Sequence, residues 1–181
     1  MRFEHLPQSS HELVVLRPIA ETDLAAWYGY LSRPDVHEHT SWNPAGVDDL
    51  RHHVWNAVDT TDASAVRFAI ALRNSGELVG TAGFHTVSPQ NRSAEIAYDL
   101  SPSHWRRGIA TAMCTLLTDW AHREASMVRV QATALDSNAR SAAVLRRAGF
   151  EREGLLRSFR MVRGVPGDFH MYSHVVHAAP T

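Results

Sequence analysis

Two arginines beside a glycine, in Trp105-Arg106-Arg107-Gly108-Ile109-Ala110, are the residues whose types and spacing point most directly to chemistry. A strand-like segment, Ser93 to Leu100, and a short turn, Ser101-Pro102-Ser103-His104, precede them. An amphipathic run follows, with Ile109, Met113, Leu116, Leu117, Trp120 and Ala121 on one face. Unpaired N–H groups and the helix dipole make a helix start favourable to negative charge. Gly108 lets the backbone come close to a ligand, and Arg106 and Arg107 add charge. The pattern suits a pyrophosphate. Read alone, it also fits a surface loop with solvated arginines. Neither Gly-x-x-x-x-Gly-Lys-Ser/Thr nor Gly-x-Gly-x-x-Gly occurs, so a triphosphate loop and a dinucleotide fold both lack their signatures.

The elements that must position this turn can be read from periodicity. Leu13 to Arg17 reads as a short strand stopped by Pro18. Glu21 or Thr22 begins a helix carrying Leu24, Trp27, Tyr28 and Leu31, with Pro34 beyond its end. Asp48 to Asp59 is a second helix, with Leu50, Val54, Trp55 and Val58 facing inward; the polar and aromatic loop His37 to Pro44 lies between the two. Val66 to Leu72, Leu78 to Val87 and Ala94 to Leu100 form an antiparallel meander. The long helix runs to Arg123, and Val128 to Ala134 is a strand parallel to the one before the glycine turn, through a right-handed crossover. Asp136 or Ser137 caps a helix through Arg147, and Gly149 ends it. Strands Glu151 to Val162 and Asp168 to Val176 close the chain around the turn Gly164-Val165-Pro166-Gly167. The second of these is expected to be an exposed edge able to pair between subunits, as in a homodimer.

Bulk properties narrow the function. At 181 residues, with 44% hydrophobic and 20% charged residues, the chain reads as one globular domain over 1–181. A formal net charge of -1 argues against a general nucleic-acid binder. The single cysteine, Cys114, excludes an intrachain disulfide and reads as a packing residue. The twelve histidines form no ligand-spacing motif, since His37/His39, His52/His53 and His170/His174 are isolated pairs, and no metal is expected. No apolar stretch is long enough for a membrane span and no signal peptide is apparent, so a cytoplasmic location is the expectation.

In element order and in three motifs the chain resembles the GNAT superfamily of acyl-CoA-dependent N-acetyltransferases. The motifs are Ala94-Glu95-Ile96-Ala97-Tyr98, the stretch from Trp105 to Ala110, and the run from Asp136 to Phe150, Asp-Ser-Asn-Ala-Arg-Ser-Ala-Ala-Val-Leu-Arg-Arg-Ala-Gly-Phe. Together they resemble the RimJ/RimL branch of ribosomal-protein N-terminal acetyltransferases. The aromatic Trp105, where the wider superfamily has Gln or Arg, fits that branch. The resemblance implies an α/β fold with a mixed, mostly antiparallel, twisted sheet of about seven strands and about four helices. It implies acetyl-CoA as co-substrate, its pyrophosphate held by the amides of Arg106, Arg107, Gly108, Ile109, Ala110 and Thr111. It also implies that the main chain of Tyr98, Asp99 and Leu100 pairs with the pantetheine, that Asn138 hydrogen-bonds it, and that Ser141 lies near the thioester sulfur.

Acetyl transfer needs a neutral amine, a stabilised carbonyl oxygen and a proton for the departing thiolate. Glu95, alone among apolar strand residues, is the candidate base, acting through water; an apolar setting raises carboxylate pKa values in general. A salt-bridged structural carboxylate is its alternative. Ser141 is the candidate acid and Tyr172 the other possibility, with packing and a surface hydroxyl as that tyrosine's competing role. His85, on the neighbouring strand, is a possible proton relay, although a partly buried sheet histidine is the simpler reading. Direct transfer in a ternary complex is expected, with no role for Cys114 as nucleophile. Trp27, Tyr28, Trp42, Trp55, Asp35, Glu38, His37 and His39 would shape the acceptor site and suit a cationic amine or a peptide N-terminus; the same aromatics also fit ordinary core, which is the favoured reading for Trp27 and Trp55. The leading acceptor is a protein α-amine. A small-molecule amine (amino-acid conjugate, antibiotic or polyamine) and a non-catalytic acyl-CoA sensor are the alternatives.

Overall fold

The computed structural model describes residues 6–58 and 65–176, with backbone alone for 55–58. Its strands are β1 (Val14–Pro18), β2 (Val66–Leu72), β3 (Leu78–Ser88), β4 (Ser93–Leu100), β5 (Arg129–Leu135), β6 (Glu151–Val162) and β7 (Val165–Val175). The α-helices are α1 (Leu24–Leu31), α2 (Pro34–His37), α3 (Arg51–Val58), α4 (Ile109–Arg123) and α5 (Ala139–Arg147). One seven-stranded sheet has the order β1-β2-β3-β4-β5-β7-β6. Every neighbouring pair is antiparallel except β4 and β5, which α4 joins as a parallel crossover.

Alternation in the strands decides what each face packs. Val14, Leu16, Phe68, Ile70, Ala82, Phe84, Ile96, Val130 and Ala132 are buried with Ile109, Met113, Leu117 and Leu145 of α4 and α5. On the opposite side Ala69 is buried with Ile19, Leu24, Trp27, Leu31 and Leu50 of the N-terminal helical region. Cys114 is fully buried, and burial pushes its thiol up to about 12, which keeps it protonated and unreactive.

Pro34 lies beyond the end of α1, as expected, and opens the short helix α2, where its missing N–H costs nothing. Three local expectations are corrected. The cap of α5 is Asn138 rather than Asp136 or Ser137, because its side chain accepts from the Ser141 N–H at 2.9 Å. The last hairpin turns on Arg163 and Gly164 alone, both left-handed (φ 50° and 81°), so Val165 and Pro166 belong to β7. Finally β7 is interior, between β5 and β6, and the edge at that end of the sheet is β6. An edge cannot be told from an interior strand by alternation, since chain order and sheet order differ here.

Candidate active site

β4 and β5 make a wedge. Their parallel pairing holds Ser93, Ala94 and Glu95 against Arg129, Val130 and Gln131 and then stops. The Arg92 carbonyl accepts from Val128 and Arg129 on the β5 side, whereas the Ser101 N–H donates to Val79 of β3. Main-chain groups alternate sides along a strand. Those of Tyr98 and Leu100 therefore face the open gap, and those of Asp99 face β3. The Leu100 carbonyl receives the indole N–H of Trp105 at 2.7 Å.

The gap leads into a groove of about 660 Å³. Tyr98, Asp99, Leu100, Arg106, Arg107, Gly108, Ile109, Ala110, Thr111, Asn138 and Ser141 all line it. Arg140, Val144, Arg147 and His104 join them, and Asp35, His39 and Thr40 form the far wall. Gly108 is the residue before α4, with φ 76°, and Arg106 is also left-handed at φ 61°. The first intrahelical bond runs from Ala112 N–H to the Gly108 carbonyl at 2.9 Å. No side chain caps this end, so the amides of Ile109, Ala110 and Thr111 lie before the helical ladder begins, at the positive end of the dipole. Arg140 stacks on Trp105, its guanidinium carbon 4.2 Å from the ring centroid.

At the inner end of the groove, Asn138 both caps α5 and donates to the His39 carbonyl at 3.1 Å, tying the far wall to α5. The Ser141 hydroxyl lies 3.0 Å from that of Tyr98. Burial pushes the Tyr98 phenol well up, so it keeps its proton. Sequence reasoning assigned Tyr98 only a main-chain role; nothing in strand periodicity reports a hydroxyl meeting a helix 43 residues later. Tyr172 does not line the groove, although it is near enough for its charge to raise the Tyr98 phenol further. It is 1% exposed in the core packed by α4 and α5, which excludes the surface hydroxyl considered for it.

Glu95 sits at the apex of the wedge, on the opposite face of β4 from Tyr98, and is buried. Its surroundings are not apolar. Oε1 accepts from Thr133 at 2.8 Å and from Arg160 at 3.1 Å, with His85 Nε2 3.7 Å away. Among the described residues Oε2 has only a long contact, 3.5 Å, to Gln131. His85 is the direct cross-strand partner of Glu95. Desolvation lowers its pKa, partly opposed by the Glu95 charge and reinforced by Arg160 and Arg67. Arg160 was missed in the sequence because a bulge sets its position along the sheet. Leu156 pairs with Phe169 and Arg160 with Gly167, so three residues of β6 oppose Asp168 alone. Asp168 fixes the bulge by accepting from the Ser158 N–H at 2.7 Å, with Ser158 left-handed at φ 51°.

In the aromatic region beyond, Trp27 is a buried core residue, the favoured expectation for it. Trp27 and Trp42 flank Arg67, whose guanidinium carbon lies 5.5 and 5.2 Å from their centroids. Arg67 also donates to Asp99 at 2.5 Å and to Thr81 at 2.7 Å, and Tyr30 hydrogen-bonds the other Asp99 oxygen. These aromatics thus hold a cation of the protein itself. Asp35 is paired by Arg33 and Glu38 by His39. The side chain of Trp55 lies outside the described residues.

The family model for the acetyltransferase (GNAT) domain matches residues 14–151. The chain belongs to the GNAT family. YoaA of Bacillus subtilis (strain 168), an uncharacterized N-acetyltransferase, is 29% identical over 90% of this chain and 93% of its own length. The ribosomal-protein-serine acetyltransferase of Escherichia coli (strain K12) is 28% identical over 55% of this chain and 56% of its own. RimJ of Mycobacterium smegmatis, solved with CoA-disulfide, is 26% identical, with a TM-score of 0.75 over 93% of this chain and 88% of that one. The GNAT chain described here is an N-acetyltransferase with acetyl-CoA as co-substrate. Its groove fits that molecule chemically: basic side chains and helix-start amides suit phosphates, and the free β4 edge suits an amide-bearing arm. Among the described residues no helix is long and apolar enough to cross a membrane.

Proposed function

We propose that this GNAT enzyme acetylates a primary amine at the N-terminus of a protein or peptide, with Glu95 and Ser141 as its proton-handling groups. The observation that carries the reading is the position of Glu95, at the point where β4 and β5 part and on the face away from the groove. Acetyl-CoA supplies an activated acetyl group and a thiolate leaving group. The chain's residues do the rest. Amides from Arg106 to Thr111, with Arg140 and Arg147 nearby, hold the phosphates, and the main-chain groups of Tyr98 and Leu100 align the arm as an added strand. Asn138 orients it from the start of α5.

Glu95 takes a proton from the incoming ammonium, directly or through water, at its less engaged Oε2. Thr133 and Arg160 hold the carboxylate in one orientation. Ser141 donates a hydrogen bond at the sulfur, and the protonated Tyr98 hydroxyl beside it fixes that donor. A thiolate is a weak base, with a thiol pKa of about 8.5, so a weak acid suffices. Trp27 and Trp42 already hold Arg67, which counts against a polyamine acceptor. Similarity to a ribosomal-protein-serine acetyltransferase supports a protein α-amine.

The experiment is a CoA-release assay with acetyl-CoA and peptides bearing free or blocked N-termini, alongside a panel of small amines. Turnover confined to free α-amino peptides supports the proposal. Turnover confined to small amines overturns the acceptor assignment.

A further inference from the structure

Arg160 stands out among the cations on the acceptor face. Arg17, Arg33 and Arg67 each place two nitrogens, and Arg129 three, on carboxylates or neighbouring oxygens. Arg163 spends its donors on the carbonyls of His37, Glu38 and Thr40. Arg160 gives only Nη2, to Glu95. A guanidinium has five N–H donors, and among the described residues the others of Arg160 meet no acceptor. Its side chain is 35% exposed. The rings of Phe159 and Phe169 lie 4.8 and 5.7 Å from the guanidinium carbon and hold the group in place. A fork fixed by aromatic rings and bound along one nitrogen presents its remaining edge as a preformed carboxylate site.

We infer that Arg160 selects acceptors carrying a carboxylate close to the amine that Glu95 deprotonates. The inference rests on the acceptor face proposed above and adds to it the chemistry of the group beside the amine. Glu95 and Arg160, 3.1 Å apart, form adjacent negative and positive sites. An ammonium at Oε2 and a carboxylate at the free edge of Arg160 would be read together. Such a pair favours an amine with an acid nearby and disfavours one with a second cation. The carboxylate has two sources: an acidic side chain next to a peptide N-terminus, or the α-carboxylate of a free amino acid. The bulge at 157–159 contributes by register: its two extra residues keep Arg160 on the face of Leu156 but set it opposite Gly167, two residues further along β7 than an unbroken ladder would.

The test is titration into the CoA-loaded protein, which needs no turnover. Three heptapeptides differ only at position two, as Asp, Asn or Lys; glycine and glycinamide form a second pair. We expect the Asp peptide to bind at least tenfold tighter than the Asn peptide, with the Lys peptide weakest. Arg160→Gln abolishes the difference between Asp and Asn, whereas Arg160→Lys keeps part of it. A merely structural Arg160 would lower all affinities together and leave their ratios unchanged. A preference confined to glycine over glycinamide supports the inference with the free amino acid as source. Equal binding within both pairs overturns it, as does a preference that survives Arg160→Gln. Retained binding preference with no peptide acetylated would instead defeat the proposed protein acceptor and leave the carboxylate site standing.

Discussion

The two faces of the sheet handle charge in opposite ways. On the groove side, Arg106, Arg107, Arg147 and the start of α4 line an open channel, and the backbone edge of Tyr98 and Leu100 faces a gap. On the acceptor side, Arg67 is sandwiched by tryptophans and bound to Asp99, and Glu95 is bound to Thr133 and Arg160. The groove takes its specificity from what the partner brings. The other face carries polar groups that are mostly paired with one another. On the function proposed above, that contrast assigns selectivity: phosphate chemistry to the first side, and the less engaged atoms, Glu95 Oε2 and one edge of Arg160, to the second.

Breaking the acceptor side while sparing the groove should give the largest effect. Glu95→Gln is expected to lower kcat by about 10²–10⁴-fold, the range for a general base, with acetyl-CoA affinity retained in calorimetry. Equal loss of binding would place Glu95 in the scaffold. Arg67→Met separates the same regions by stability. It strands the carboxylate of Asp99, 11% exposed at its side chain, and should cost about 3–5 kcal/mol in denaturant unfolding. Adding Asp99→Asn should recover part of that cost; no recovery would mean that the pair is not what Arg67 stabilises. Breaking the groove side instead, Gly108→Asp combines about 1–2 kcal/mol of left-handed strain with a carboxylate at the helix start. Acetyl-CoA affinity should fall at least tenfold, and Gly108→Ala, which carries strain without charge, should fall less. Similar affinities for the two variants would remove electrostatics from the argument.

The same division governs what could be read in advance. The groove side is local in sequence: Gly108, the arginines beside it and the amphipathic α4 occupy adjacent positions, and the expected bounds of β2 and β6 at Val66–Leu72 and Glu151–Val162 and the expected end of α4 at Arg123 agree with the structure. Every residue named for the co-substrate lines one groove. The acceptor side is assembled from distant segments. Arg160 meets Glu95 across 65 residues, and Arg163 reaches the His37 carbonyl across 126. Those contacts depend on a bulge and on the position of β7 between β5 and β6, neither of which follows from hydrophobic alternation. Trp27 reads as core and is buried there, and the cation that it and Trp42 flank is Arg67, from a strand 25 residues beyond Trp42.

A smaller effect sharpens the contrast through pH. His53 packs against Trp27 and Trp42, and desolvation, with the charges of Arg67 and His52, lowers its pKa to about 3. An unfolded histidine titrates near 6.5. Between these values the unfolded chain binds the extra proton, so stability falls as pH decreases through 6.5. From pH 7 to 5.5 the expected loss is about 1 kcal/mol, set mainly by the unfolded value. Desolvation also lowers His85, His104 and His174, which add to the slope with the same sign. Glu153 belongs to a separate window. Hydrogen bonds from Arg129 and Ser173 lower it to about 2, so its contribution is complete above the ordinary carboxylate range and is lost as pH falls from there toward 2. Unfolding midpoints at pH 7 and 5.5 for wild type and His53→Phe isolate the buried imidazole. The variant should lose less stability over that interval, since its ring takes up no proton. Equal losses in both proteins would show that the cluster around Arg67 admits His53 as a cation, against the mutually paired acceptor side described here.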